Sequence, residues 1–334
     1  MRAVLLEEFG DPPALGEIDR PVPGAGQVLV RVRASGVNPL DLKLGAATVV
    51  RGGAQLARPT RLPAVLGIDL AGVVAEVGPG VAGFSPGDAV YGMAGGVGDL
   101  PGSLAEYAAV DARLLAHKPA ELDMRSAAAL PLAIVTAWEG LVDRARVGAG
   151  HRVLVHGGAG GVGNLAVQLA RARDAEVFAT ASPGKLETVA RLGATPIDYT
   201  TTSVEEYVAR HTGGEGFDVV FDTIGGTTLD ASFAAVRRNT GHVLSALGWG
   251  THDLAPLSFR GATYSGIFAL APLLTGTGRE HHGEILRETA ALADGGWLRP
   301  VVDPRRFGLA DVGDAHAALG TGTAVGKVVV EIEE

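Results

Sequence analysis

The amino-acid sequence predicts an α/β protein with a doubly wound parallel sheet and a second, β-rich, barrel-like domain. Three observations carry this. From about Ser126 short strand patterns alternate with helical ones, the pattern of a parallel sheet with crossover helices. Between the first such strand and its helix stands a Gly-x-Gly-x-x-Gly sequence. The preceding third of the chain is instead made of short strands broken by Gly and Pro. At 334 residues the chain also exceeds what one hydrophobic core usually serves.

In the first third, strands are predicted at 27–34 (QVLVRVRA), 69–77 (DLAGVVAEV) and 89–91. Gly24-Ala25-Gly26, Gly78-Pro79-Gly80 and Pro86-Gly87-Asp88 are the turns. The alternating part reads as strand 151–156 (HRVLVH), helix 162–173, strand 176–181 (EVFATA), helix 185–192 ended by Gly193, and strand 194–198. Helix 203–211, strand 217–222 (FDVVFD), helix 228–236 and strand 241–246 (GHVLSA) follow. A helical stretch at 283–293 and a β-branched run at 325–332 (VGKVVVEI) close the chain and are expected to rejoin the first domain.

Composition removes several function classes. With 47% hydrophobic and 19% charged residues the chain is globular, and no segment has the composition of disorder. A net charge of −9 argues against nucleic acid as a partner. The opening MRAVLLEEFG lacks the order of a signal peptide, and the longest apolar stretch, 127–138, is interrupted by Pro131 and too short for a membrane span. A cytoplasmic protein is expected. Cysteine is absent, which excludes disulfides, thiolate nucleophiles and sulfur-based zinc sites.

The Gly-rich sequence is Gly158, Gly160 and Gly163 within VLVHGGAGGVGNLAVQLARA. The first glycine is expected to allow the tight turn, the second the approach of a pyrophosphate, and the third close helix–strand packing. A plain Gly-rich turn is the alternative. NAD-specific sites place an acidic residue about 20 residues further on, to hold the ribose 2′-hydroxyl. This chain instead has Ser182-Pro183-Gly184-Lys185 after the second strand. A 2′-phosphate suits Ser182 and Lys185, so NADPH is the expected cofactor; the alternative makes Lys185 a solvated helix residue.

The stretches GVNPLDLKLG (36–45), LGIDLAGVVAEVGPGV (66–81), GSLAEYAAV (102–110), AAALPLAIVTAWEGL (127–141), VHGGAGGVG (155–163), FDVVFDTIGG (217–226) and AVGKVVVEI (324–332) extend over the whole chain. Through them the chain resembles the medium-chain dehydrogenase/reductase superfamily, in its quinone oxidoreductase, or zeta-crystallin-like, branch. The resemblance implies a GroES-like catalytic domain from residues 1–124 and 269–334 and a Rossmann domain from 125–268. It further implies a homodimer formed through an edge strand at 263–268.

The zinc-dependent alcohol dehydrogenases of that superfamily carry a Cys where this chain has Asn38 and a His-Glu pair where it has Ile68-Asp69, so no metal is expected. The nine His residues offer no substitute pattern. Without Lewis-acid help, acceptors that delocalise charge are expected, namely quinones or α,β-unsaturated carbonyl compounds. The resemblance places Asn38 near the nicotinamide ribose or the substrate carbonyl, with Asp41 and Lys43 as further catalytic candidates on the same segment. Asp41 and Lys43 also read as an ion pair or solvated charges, and Tyr91 as a proton relay or a core aromatic. The resemblance assigns Gly160, Gly161 and Val162 to the pyrophosphate, and Ser182, Lys185 and Tyr199 to the adenosine phosphate. It assigns the loops at Ile224 and Leu247 to the dinucleotide, and Thr136, Phe268 and Lys327 to the nicotinamide side. Tyr199 reads equally as strand-edge packing.

Two other readings fit the same residues. One is an enoyl-thioester or substituted-acrylate reductase, for which Arg51, Arg58 and Arg61 would attract an acidic substrate or be plain surface arginines. The other is a non-catalytic NADPH-binding, crystallin-like protein, since fold does not fix function.

Overall fold

The computed structural model describes residues 1–46 and 57–332. The chain divides into two compact units, Met1–Val135 with Leu270–Glu334, and Thr136–Ala269. Among the described residues no helix is long and apolar enough to cross a membrane.

The first unit is built on a seven-stranded sheet. Its order is Phe307–Gly308, Val328–Glu331, Gln27–Val37, Asp69–Val77, Ala89–Met93 and Leu115–His117, with Tyr107–Asp111 also paired to Gln27–Val37. Gln27–Val37 is eleven residues long and eight of its residues are buried, including the last four, so that end is covered on both faces. It serves three neighbours, since Tyr107–Asp111 pairs with its residues 27–31 and Val328–Glu331 with 34–37, while Asp69–Val77 pairs along the other edge with two register shifts that bend the strand. A three-stranded sheet of Ala14–Glu17, Arg2–Leu6 and Ala64–Val65 completes the β structure. The unit extends past Met124 because the Met124–Ala128 helix packs on Gln27–Val37 and Asp69–Val77. The 283–293 stretch is the centre of the longer helix Arg279–Asp294, whose Leu286 carbonyl accepts the buried Tyr91 hydroxyl at 2.6 Å. Burial pushes the Tyr91 phenol well above its ordinary range. Tyr91 is therefore a core aromatic.

The second unit holds a six-stranded, wholly parallel sheet in the order Thr195–Asp198, Glu176–Ala181, Arg152–His156, Val219–Asp222, His242–Ser245, Thr263–Gly266. The chain enters at Arg152–His156, winds outward through two strands, then returns to the other side. The reversal between Arg152–His156 and Val219–Asp222 is the switch point at which doubly wound sheets bind ligands. The strands are near-continuous apolar runs because both faces are covered. On one face Leu154, Phe178, Val220 and Val243 pack with Phe217, Leu229 and Phe233 in a single buried cluster. Helix Val204–Thr212 shows how local chemistry sets the boundaries. Ser203 and Glu206 exchange capping hydrogen bonds at its start, and Gly213 ends it in the left-handed region. The helix expected at 185–192 begins earlier, as a 3₁₀ turn at Pro183–Lys185 that runs into Leu186–Arg191, because Pro183 pre-sets the first turn.

Candidate active site

In the first unit the decisive segment is Asn38-Pro39-Leu40-Asp41. A residue before proline is driven to extended backbone, and Asn38 obeys with φ −124° and ψ 151°. Pro39 then opens the helix Pro39–Gly45. Asp41 Oδ2 accepts the Asn38 amide hydrogen at 2.8 Å, half of a capping box. The Asn38 side chain is turned elsewhere. Its Nδ2 donates to Asp69 Oδ2 at 3.0 Å and to the Gly36 carbonyl at 3.4 Å, and its Oδ1 accepts from Lys327 Nζ at 2.5 Å. The Lys327 ammonium also donates to Asp69 Oδ2 at 3.0 Å. Asp69 Oδ1 accepts the Leu132 amide at 2.7 Å, at the first turn of helix Pro131–Trp138, where the helix dipole favours a carboxylate.

All four side chains are buried, none more than 4% exposed. Lys327 and Asp69 form an ion pair that repays its desolvation only because Asn38 and Leu132 complete the hydrogen bonding. Asp41 has no such pairing. Burial raises its carboxyl from 3.8 to about 7, with the charge of Asp69 adding to the rise and the Asn38 amide and Lys327 opposing it.

The structure therefore joins Asn38 and Asp41 with Lys327 and adds Asp69, which sequence reasoning treated only as a vacated metal position. A charged residue within an apolar strand was the available signal, because a buried charge needs a partner. Lys43 is exposed on the last turn of the helix, apart from this cluster. Arg51 lies outside the described residues. Arg58 stacks over the Phe9 ring and donates to the Ala46 carbonyl, a structural use, and Arg61 is exposed.

In the second unit Gly157–Gly163 leaves the end of the Arg152–His156 strand and enters the helix Gly161–Ala172. The tight turn belongs to Gly157, at φ +76°, and not to Gly158 as expected. Gly158 instead lies against the neighbouring strand, where a Cβ would stand 2.5 Å from that of Ala179. Gly163 is the close-packing position expected of it, since a Cβ there would fall 2.1 Å from the Gly157 carbonyl oxygen. The first-turn amides of Gly161, Val162 and Gly163 have no acceptors within the helix, which suits them to an anion.

The other expected cofactor residues of this unit gather at the same sheet edge. Ser182 and Lys185, both half-buried, follow the Glu176–Ala181 strand, and Tyr199 follows Thr195–Asp198, paired beside it with Ala181 opposite Asp198. Tyr199 is 59% exposed, more than strand-edge packing gives. Ile224 and Leu247 follow the next two strands, and Gly225 lies so close to Leu247 that a Cβ would sit 2.5 Å from its carbonyl oxygen. Phe268 meets Trp249 edge-on, with ring centroids 6.0 Å apart, and Thr136 is buried. A Gly-rich turn at the switch point, an unpaired helix start and a serine and lysine at the second strand end fit a dinucleotide with a 2′-phosphate.

Two family models match, the alcohol dehydrogenase GroES-like domain over residues 24–120 and zinc-binding dehydrogenase over 192–330. The chain is 55% identical to an alcohol dehydrogenase superfamily protein from Novosphingobium aromaticivorans of known structure, covering 100% of both chains with a TM-score of 0.94. It is 39% identical to the chloroplastic NADPH-dependent alkenal/one oxidoreductase of Arabidopsis thaliana, over 91% of this chain and 72% of that one. The chain belongs to the medium-chain dehydrogenase/reductase superfamily. This member is an oxidoreductase of NAD(P)-dependent type. It also matches NorB, a spectinabilin polyketide synthase system protein of Streptomyces orinoci, at 38% identity over 91% of this chain, but spans only 13% of that protein.

The family description raises zinc, and the residues here do not fit it. A catalytic zinc takes three protein ligands and keeps an open position. In this reductase the Lys327 ammonium already lies against the oxygens of Asn38 and Asp69. The chain has no cysteine, and among the described residues no group of three or more His, Asp or Glu is arranged to hold a metal ion.

Proposed function

We propose that this protein reduces α,β-unsaturated aldehydes and ketones, and quinones by the same chemistry, with NADPH as donor and without a metal ion. The observation that carries this is the Asn38–Asp69–Lys327 cluster, in which a lysine ammonium lies against the side chains standing where zinc-dependent relatives carry metal ligands. The relative that acts on alkenals and alkenones with NADPH supports the same acceptor class and cofactor.

Bound NADPH would supply a hydride: with a proton from solvent an enal or enone would gain it at the β-carbon and the proton at the α-carbon, giving the saturated carbonyl compound and NADP⁺, and a quinone would take up hydride and proton to give the hydroquinone and NADP⁺. Conjugation spreads the incoming charge onto the carbonyl oxygen, so fixed hydrogen-bond dipoles can stabilise it without a Lewis acid. The chain's own part is binding and electrostatics. The Gly161 and Val162 amides would hold the diphosphate, and Ser182 with Lys185 would take the 2′-phosphate. The buried polar cluster keeps Asn38 in one orientation, since both faces of its amide are engaged.

The test is consumption of reduced nicotinamide by the purified protein with a 2-alkenal, an enone, a 1,4-quinone, an acrylate and a crotonyl thioester, each with NADPH and with NADH. Alcohol oxidation with NADP⁺ is measured beside these, and every assay is run with and without chelator. NADPH-preferring, chelator-insensitive turnover of the alkenal, enone or quinone is expected. Thioester turnover above all others moves the assignment to an enoyl-thioester reductase. Tight NADPH binding with no turnover moves it to a binding protein, and chelator-sensitive alcohol oxidation overturns it.

A homodimer through Thr263–Gly266 is part of the same proposal. That strand ends the sheet, pairing only with His242–Ser245 among the described residues, and Phe259 nearby is 80% exposed. Light scattering on the purified chain tests it, with a monomer as the refuting result.

A further inference from the structure

Strands buried in parallel sheets are ordinarily apolar, yet four adjacent strands of the second unit each carry a buried polar residue at one level of the sheet. These are Thr180, His156, Asp222 and Ser245. They are neighbours in register, Thr180 opposite His156, His156 opposite Asp222 and Asp222 opposite Ser245, and none is more than 3% exposed. Parallel strands in register point such side chains to the same face, so the four form a continuous line.

Each end of the line holds a loop. Thr180 Oγ1 accepts the Gly157 amide at 3.2 Å, fixing the start of the Gly-rich turn. Asp222 accepts the amides of Ile224 and Gly225, both at 3.0 Å, and the Ser245 hydroxyl at 2.7 Å. Ser245 Oγ in turn accepts the Leu247 amide at 3.2 Å. The Thr223 hydroxyl ties the second loop to the first through the His156 carbonyl at 2.7 Å. In the middle His156 Nδ1 meets Thr180 Oγ1 at 3.2 Å, while its Nε2 has no hydrogen-bond partner. Thr180 Oγ1 can donate its own hydrogen to Nδ1 while accepting from Gly157, an arrangement that suits a neutral His156. Burial acts in the same direction, lowering the imidazole to about 4.

An apolar row would be cheaper to bury than this one. We propose that Thr180, His156, Asp222 and Ser245 act as one positioning row that sets the Gly157, Ile224–Gly225 and Leu247 loops jointly for the dinucleotide. The row belongs to the second unit alone and rests on the cofactor reading given above. Its function is affinity for the cofactor, transmitted through loop amides, and not contact with the reacting atoms.

The experiment is NADPH titration of the full-length protein by nicotinamide fluorescence, beside thermal unfolding of the cofactor-free protein and steady-state kinetics. Ser245→Ala removes one hydroxyl and is the mild variant; Asp222→Asn disturbs every acceptor contact of that carboxylate. The expected result is a Kd for NADPH raised about threefold to tenfold by Ser245→Ala and more than tenfold by Asp222→Asn. KM for NADPH should rise by a larger factor than kcat falls, and the double variant should lose less than the product of the two, because they share one hydrogen bond. Thr180→Ser, which keeps the hydroxyl, should bind within about twofold of the parent and Thr180→Val should not. If Asp222→Asn does not fold, Ser245→Ala and the Thr180 pair decide. Parent-like affinity in Ser245→Ala and Thr180→Val overturns the row while leaving the cofactor reading standing. Losses of affinity restored by cooling to a temperature where each variant is fully folded also overturn it, since the role is then structural only. Absence of NADPH binding by the parent protein overturns both.

Discussion

Asp41 and Asn38 are joined by two hydrogen bonds, the Asn38 backbone amide donating to Asp41 Oδ2 at 2.8 Å and the Asp41 backbone amide donating to the Asn38 carbonyl at 3.0 Å, while the buried Oδ1 of Asp41 has no hydrogen-bond partner. Burial, with the charge of Asp69 adding to it, pushes the carboxyl up to about 7 from its ordinary 3.8. A group raised on folding binds its proton more tightly in the folded chain, so its contribution is complete below about pH 4 and is lost as pH rises through 7. Asp41→Asn removes that dependence. Urea unfolding of both proteins at pH 5 and pH 8 should show the wild type losing ground to the variant at the higher pH; a constant difference refutes the prediction.

His156 works in the opposite sense. Its imidazole is lowered to about 4 by burial, against 6.5 when exposed, so the stability it contributes is full above pH 6.5 and declines as pH falls toward 4. Comparing wild type with His156→Gln by urea unfolding at pH 7.5 and pH 4.5 checks this. The variant should gain relative stability at the acid end, and equal shifts at both values would sink the assignment.

Removing Lys327 leaves Asp69 and the Asn38 carbonyl buried without their cation. Lys327→Met is expected to cost about 3–5 kcal/mol, and adding Asp69→Leu should recover much of that by removing the stranded charge. Denaturant midpoints decide, and a cost below about 1 kcal/mol for the single variant contradicts the packing described for the pair.

At Gly163 a Cβ would fall 2.1 Å from the Gly157 carbonyl oxygen, and both groups are backbone with nowhere to swing. Gly163→Ala should destabilise by about 1–3 kcal/mol and abolish measurable NADPH binding. Gly148→Ala, where a Cβ meets nothing within 4 Å, is the control and should be close to neutral. Equal behaviour of the two variants would show that the loop has room.

Lys185→Glu and Ser182→Asp place carboxylates where a 2′-phosphate is expected. Each should lower kcat/KM with NADPH about tenfold to a hundredfold while sparing or improving NADH. Parallel losses with both cofactors would count against the assigned 2′-phosphate position.

The parallel sheet was legible because its strands are short apolar runs separated by glycines and helix patterns, a signal held within each segment. Ala14–Glu17 gave no such signal, since all four of its residues are exposed or half-buried and no alternation marks a face. The dinucleotide loop was legible for the same local reason, though the turn falls on Gly157, one residue before the motif's first glycine, because the spacing identifies glycines without saying which has positive φ. The polar cluster was legible only in part. Lys327 and Asp69 are 258 residues apart, and nothing near either names the other. What the segments GIDLAGVV and AVGKVVV do show is a single charge in each apolar run, of opposite sign. The two belong together because neither is tolerable alone in a sheet interior.

The strand Val328–Glu331 pairs with Gln27–Val37 near the middle of its sheet and delivers Lys327 beside it, whereas every strand of the second unit lies between Arg152 and Gly266. On the ribosome the nucleotide-binding sheet thus has all its strands some sixty residues before the first unit has its own. Asn38 and Asp69, though made early, wait for a lysine that follows Asp69 by 258 residues, so any stall between Gly266 and Lys327 leaves one sound domain tethered to an open sheet with a buried-to-be carboxylate in water, a form for proteolytic quality control to recognise.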